Sequence, residues 1–279
     1  MKSLLVPVED TDRVSAALNL ARAFATTFDG RVDGVALRLA QFQAVGAEPV
    51  VAVTVPAPGA NDQQIAARAH ARFDAFVAQA DAQDQYRWRT GDPVDDQGLG
   101  ALARVYDAVV VGRPGSADAA TRMTTFEAAL FDGGRPLLIA PPQFADVDPA
   151  NRIGRHVVVS WNQSTEAART LAVALPVLAQ AQTVTVLAID TALVPGPSVD
   201  DVARYLDMHG ITARVVARSA KGQGSNLGPG KAILAAAADL DADLLVKSAY
   251  TQSRLRQMIF GGATSEILTH ATIPVLMAN

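Results

Sequence analysis

One stretch of this chain, residues 248–265, gathers residue types that hold anions. Gly261 and Gly262 let the backbone turn tightly enough for consecutive N–H groups to face one ligand. Thr264 and Ser265 then open a predicted helix, whose first amides lack partners and whose dipole favours negative charge. Ser248 and Thr251 bring hydroxyl donors, and Arg254 and Arg256 bring positive charge. The chemistry on offer is the cradling of a phosphate, not the making of a bond. A plainer reading of the same residues stays open: a Gly-Gly turn, Thr264 as an N-cap, and solvated arginines.

Other residues suggest chemistry less strongly. The glycine-rich run from Gly222 through Gly224, Gly228 and Gly230 to Lys231 looks like a phosphate loop. A Walker loop, however, needs glycine where Ser225 stands and a hydroxyl where Ala232 stands, so a surface loop leading into a helix fits better. His70, His156, His209 and His270 are scattered, with no pair at helical spacing, and no metal site is expected. The adjacent pairs Glu9-Asp10 and Asp95-Asp96 point apart and make poor catalytic dyads. Ser160 and Ser164 lack a GxSxG setting. Trp161, at the end of a predicted core strand, has the flat face a base would stack on, or is simply core. Adenylate-forming motifs of the HxGH and SGGxDS kinds do not occur. The expectation is a protein without an enzymatic purpose.

Composition narrows the partners. The chain has 279 residues, 49% hydrophobic and 5% aromatic, enough for two α/β domains of ordinary size. A net charge of −4 argues against nucleic-acid binding by phosphate neutralisation. With no cysteine, disulfide and thiolate chemistry are excluded. No apolar segment reads as a membrane span, and the N-terminal run, broken by Pro7 and Glu9, reads as a strand rather than a signal peptide. The expected location is cytoplasmic.

The elements that must position the candidate loop occur twice. LLVPVEDT from Leu4 answers VVVSWNQS from Val157, DAVVVGRPG from Asp107 answers DLLVKSAYT from Asp243, and RPLLIAPP from Arg135 answers IPVLMAN from Ile273. The offsets are nearly constant: 157 − 4 = 153, 243 − 107 = 136 and 273 − 135 = 138. Apolar runs at residues 3–9, 31–39, 86–90, 108–112 and 136–140 predict five strands in the first half. Helical periodicity separates them at 11–28, 62–80, 97–105 and 125–131. The second half predicts strands at 156–161, 183–189, 212–218, 243–247 and 274–277, with helices at 165–179, 198–209, 230–240 and 265–270. Strands alternating with helices imply parallel sheets with right-handed crossovers. Residues 41–60 hold three prolines and read as an insertion, and 141–155 as a polar linker. The expected architecture is α/β: two tandem doubly wound five-stranded domains, residues 1–147 and 148–279. Ligands of such sheets sit at the carboxyl ends of the strands, where strand order reverses.

The duplicated order, VVVSWNQSTEAARTLA at the head of the second half, and AYTQSRLRQMIFGGATSEILTHATIPVLMAN at its end together resemble the universal stress protein family, in tandem. The resemblance implies a Rossmann-like, adenine nucleotide α-hydrolase-like fold and a stress-associated regulatory role. It also implies ATP or another adenine nucleotide as ligand, with Mg²⁺ only as the nucleotide's companion. Nucleotide-binding members carry a Gly, two residues, a Gly, nine residues, then Gly and Ser or Thr. Here those positions are Ser248, Thr251, Gly261 and Gly262, so one glycine of three is kept. The first half keeps Gly112 and Gly115, but Met123, Thr124 and Thr125 precede its helix. The family's adenine-side Asp corresponds to Glu9 and to Asn162. The implied ligand set lies in the second half: Ser160, Trp161, Asn162 and Ser164 on one side, and Ser248, Thr251, Gln252, Ser253, Arg254, Gly261, Gly262, Ala263, Thr264 and Ser265 on the other. The alternative is a nucleotide-free interaction scaffold, its halves packed as a pseudo-dimer through 135–140 and 273–277. A homodimer would make use of the same edges.

Overall fold

The computed structural model describes residues 1–9, 11, 14–38, 62–114, 121–146, 153–219, 227–249 and 262–279. The first half runs β1 (Ser3–Val8), α1 (Val14–Phe28), β2 (Arg31–Ala36), α2 (Asp62–Val77), β3 (Tyr86–Trp88), α3 (Asp96–Ala103), β4 (Ala108–Gly112), α4 (Met123–Glu127) and β5 (Leu137–Ala140). The second runs β6 (His156–Ser160), α5 (Thr165–Leu178), β7 (Thr183–Ile189), α6 (Val199–Met208), β8 (Ala213–Arg218), α7 (Pro229–Asp239), β9 (Leu244–Ser248), α8 (Ala263–His270) and β10 (Val275–Ala278).

All ten strands form one sheet in the order β3-β2-β1-β4-β5-β10-β9-β6-β7-β8. Each half is parallel within itself, and strand order reverses between β1 and β4 and again between β6 and β9. The halves meet where β10 pairs antiparallel with β5, Val275 against Ile139, Leu276 against Leu138 and Met277 against Leu137. Antiparallel pairing of two parallel blocks turns their carboxyl ends to opposite edges of the sheet. The two candidate ligand positions therefore point away from each other. The same pairing closes two sheet edges that would otherwise present open hydrogen-bonding groups.

Continuous apolar runs in β1, β4, β5, β6, β9 and β10 follow from helices covering both faces. Leu4, Val110, Leu138, Val157, Val246 and Leu276 pack under α1, α2, α5 and α6. Leu5, Val109, Ile139, Val158, Leu245 and Met277 pack under α3, α4, α7 and α8. Each fully buried leucine or isoleucine contributes about 1.5–3 kcal/mol relative to exposure. The feet of β4 and β9 are fastened alike. Asp107 Oδ2 accepts from the N–H groups of Lys2 and Ser3 at 2.5 and 3.0 Å. The Asp243 carboxylate accepts from Gly154, Arg155 and His156 at 3.1, 2.9 and 3.0 Å.

Three expectations change. The helix expected at 125–131 begins at Met123 and continues past Glu127 as a wider π turn over Ala128–Asp132. The stretch read as a polar linker begins with a 3₁₀ turn, Pro142–Asp146, whose Phe144 is buried against α1. Asn19 Nδ2 ties that turn down by donating to the carbonyls of Phe144 and Ala145. Aromatic anchoring within an otherwise polar segment gives little periodic signal. The helix expected from Thr11 is described from Val14. The expected insertion at 41–60 and the expected division at 147/148 lie outside the described residues.

Candidate functional site

At the carboxyl end of β6, the chain leaves the sheet through Trp161 and Asn162 and enters α5. Ser164 caps α5, its Oγ accepting from Ala167 N at 3.1 Å. Asn162 Oδ1 accepts from Ser164 Oγ at 2.8 Å and from Ser164 N at 3.3 Å. Local Asx and Ser turns of this kind fix the approach to a helix. They also engage the amide oxygen that would accept an adenine amino hydrogen, and they leave the Asn162 Nδ2 donors as its uncommitted group among the described residues. Trp161 is 4% exposed and its Nε1 donates to Pro197 O at 2.8 Å, so its indole serves the core and anchors the loop before α6. Ser160 is nearly buried and stands in register with Lys247 of the neighbouring strand.

At the carboxyl end of β9, Ser248 is buried. Thr251, Gln252, Ser253, Arg254 and Gly261 lie outside the described residues. Beyond them Gly262, with φ 129° and ψ 158°, is the N-cap of α8 and offers no side chain to cap that helix. This conformation is closed to residues with a Cβ, which accounts for glycine where the family motif has a hydroxyl. The helix begins at Ala263, one position before Thr264, so Thr264 is not its cap. Ala263 and Thr264 are both buried, and Ser265 is half-buried. The Thr264 hydroxyl has no hydrogen-bond partner among the described residues. Such an orphan costs about 1–3 kcal/mol.

The glycine-rich approach to α7 is a different matter. Glu266 Oε2 accepts from Gly230 N at 2.7 Å and from Lys231 N at 3.2 Å, so the chain's own carboxylate occupies that helix terminus. Gly230 allows the contact, because a Cβ there would stand 2.4 Å from Ala263 O. Residues 222–226 of the same run lie outside the described residues.

The corresponding crown of the first half is closed by its own side chains. Thr125 Oγ1 donates to Asp96 Oδ1 at 2.6 Å. Arg122 Nη2 donates to the same oxygen at 3.2 Å and to Arg38 O at 3.3 Å. Arg38 pairs with Asp62 at 2.7 Å. Glu9 lies within this group, and burial raises its pKa against the opposing pull of Arg122, with Asp96 adding to the rise. Gly112 ends β4 as expected, and Gly115 lies outside the described residues.

Lys247, on β9, escaped the sequence reading. It is 3% exposed, and its Nζ donates to Ser248 O at 2.6 Å. Burial lowers its pKa to about 8, with Glu166 opposing that shift in part. The signal was available: DLLVKS aligned with DAVVVG sets a lysine against Val111. Among the described residues, no group of three or more His, Cys, Asp or Glu is placed to hold a metal, and no helix is long and apolar enough to cross a membrane.

The described sites sit on a fold with known relatives. The sequence model of the universal stress protein family matches residues 154–279. A universal stress protein from Archaeoglobus fulgidus DSM 4304 superimposes with a TM-score of 0.71 at 14% identity, covering 99% of this chain and 98% of that one. A functionally unknown protein from Pseudomonas aeruginosa PAO1 gives 0.54 at 14% identity, covering 100% and 92%. A universal stress protein solved in complex with cAMP gives 0.34 at 15% identity, covering 45% and 97%. At these identities the likeness is one of fold. There is no match among curated proteins. Strand order, duplication and the family model converge: this chain carries the universal stress protein fold twice in tandem, and residues 154–279 match the sequence model of the universal stress protein family.

Proposed function

We propose that this chain is a nucleotide-responsive regulatory protein of the universal stress type, holding one adenine nucleotide in its second half. The observation that carries the reading is the contrast between the two crowns. In the first half, Arg122 and Thr125 both donate to Asp96 and Glu9 lies beside them, although Arg122 Nε, like Thr264 Oγ1, has no partner among the described residues. In the second, α8 opens with a glycine cap and, among the described residues, with no capping side chain and a buried hydroxyl that has no partner. Helix termini of that kind favour phosphate. The adenine would lie toward Asn162, whose Nδ2 would donate to a ring nitrogen, and the phosphates toward Gly262 and Thr264. Mg²⁺ would come only with the nucleotide. Binding, rather than turnover, is the proposed output.

The test is thermal unfolding with and without millimolar ATP. The wild type is expected to unfold at a higher temperature with ATP, while Gly262→Val, forced out of its positive-φ conformation, loses that difference. An unchanged wild-type midpoint would count against nucleotide binding.

A second reading, a nucleotide-free scaffold, has its own support. The β5–β10 junction joins both halves in one sheet, and the Trp161 indole and Asn162 oxygen are already engaged. Protein purified without any retained nucleotide, and indifferent to added ATP, would favour it.

A further inference from the structure

We propose that the outer edge of β8 is a docking surface for an extended, acidic segment of a partner protein, which adds to the sheet as a further strand. The inference goes beyond the nucleotide reading and does not depend on it.

The sheet has two ends, β3 in the first half and β8 in the second, and no described strand lies beyond either. They are guarded unequally. β3 has three residues, and α2 lies over its side chains: the Trp88 ring stacks on His70 with centroids 4.7 Å apart, and Tyr86 meets Phe73 and Phe76 edge-on. β8 has six residues, paired one to one with β7 from Ala213 against Val184 to Arg218 against Ile189, with no bulge and no proline. Short edge strands, bulges and prolines make an edge unfit for pairing, and β8 has none of these devices. Four of its six residues are exposed, Val215 at 39% among them, so neither helical layer closes over it. In a parallel pair, alternate residues turn their N–H and C=O groups to one neighbour, so about half of the backbone groups of β8 face outward.

Side chains alternate between the two faces of a strand. Ala213 packs with the layer of α5 and α6, and Val216 with the layer of α7 and α8. Arg214 and Arg218 therefore share the face of Val216, one on each side of it. Both are exposed, and neither guanidinium has a partner among the described residues. Four residues of strand span about 13 Å. The open edge thus offers two positive charges at that spacing, an aliphatic side chain midway, and outward backbone donors and acceptors between them.

This pattern chooses among occupants. A second copy pairing antiparallel about Val216 would set Arg214 of each strand against Arg218 of the other, and a parallel copy would set each arginine beside its own counterpart. Like charges so placed are destabilising. A strand with Asp or Glu opposite both arginines and an apolar residue opposite Val216 meets the edge instead with two charge pairs, an aliphatic contact and a main-chain ladder. In strand addition the ladder supplies affinity and the alternate side chains supply specificity. The complementary pattern, acidic, any, apolar, any, acidic, reads the same in both directions, so it serves a parallel and an antiparallel partner alike.

The experiment is fluorescence-anisotropy titration of the full chain with three end-blocked peptides: one containing Glu-Thr-Val-Thr-Glu, its Lys-Thr-Val-Thr-Lys counterpart, and the first peptide with its internal amides N-methylated so that it cannot complete a ladder. The proposal predicts that wild type binds the Glu peptide at least about tenfold more tightly than either of the others. Arg214→Glu combined with Arg218→Glu should invert the order of the two charged peptides, with thermal unfolding as the folding control. Should that double variant fail to fold, amide hydrogen exchange of wild type carries the test: the Glu peptide is expected to slow exchange in β8, and unchanged exchange there would overturn the proposal. Equal binding of the Glu peptide and its N-methylated form would overturn strand addition. No binding of the Glu peptide at millimolar concentration would overturn the docking surface altogether. Concentration-dependent dimers of wild type in sedimentation, lost in the double variant, would make a second copy the occupant and overturn the acidic partner.

Discussion

The hydroxyl of Thr125 is spent on Asp96 at 2.6 Å, whereas that of Thr264, at the matching place in the second half, is buried with no partner among the described residues. One duplicated position has thus taken two states: satisfied by the chain itself, or left for something else. Thr125→Val removes the shorter of the two hydrogen bonds to Asp96 Oδ1, leaving that from Arg122, and is expected to destabilise the ligand-free protein by about 1–2 kcal/mol, while Thr264→Val should be neutral or stabilising. Urea unfolding midpoints decide. An equal loss in both variants would remove the contrast.

Lys247 makes stability depend on pH in the direction that its burial sets. Its folded pKa of about 8 lies below the ordinary lysine value of 10.5. Between those values the unfolded chain holds the proton more tightly than the folded one, so stability rises with pH across that window. Below the window both states are protonated and the full cost is present. Lys247→Met should therefore be more stable than wild type at neutral pH, by on the order of 2–4 kcal/mol, and the gap should narrow toward pH 10. A gap independent of pH, measured by denaturant unfolding at several pH values, would contradict this.

Asp107 gives the acid limb. Burial pushes its pKa up, but the N–H groups of Lys2 and Ser3 outweigh that and hold it below the usual carboxylate value. A depressed carboxylate stabilises above its unfolded pKa, and the benefit is lost as pH falls through the folded one. Asp107→Asn should cost about 1–2 kcal/mol at pH 7, and the difference from wild type should shrink below pH 4.

The junction of the halves can be tested in a double-mutant cycle. Leu138 and Leu276 are register partners across β5 and β10, both fully buried. Each change to alanine should cost about 2–5 kcal/mol, with a coupling of about 0.5–3 kcal/mol between them. Strict additivity would mean that the strands do not meet as described.

Much of the fold was legible because its signals are periodic. Runs such as VVVSW and LLIA announce strands buried on both faces, and Ser198, with Asp201 completing a capping box, announces α6. The repeat fixed the order of elements twice over. The site was less legible, since its decisive contacts are distant in sequence. That Glu266 fills the start of α7, that Asp96 holds Thr125, and that Asn162 turns its oxygen to Ser164 depends on packing that no local pattern encodes. Lys247 is the exception. Its charge within an apolar strand was visible from the repeat alone, yet a lysine at a strand end is ordinarily read as solvated.

The central claim is that the duplication left one nucleotide site, not two and not none. Isothermal titration of the purified chain with ATP tests it directly. The expected result is saturable binding of one nucleotide per chain, abolished by Gly262→Val and untouched by Thr125→Val in the first half. A stoichiometry of two, or no heat at millimolar ATP, would contradict it.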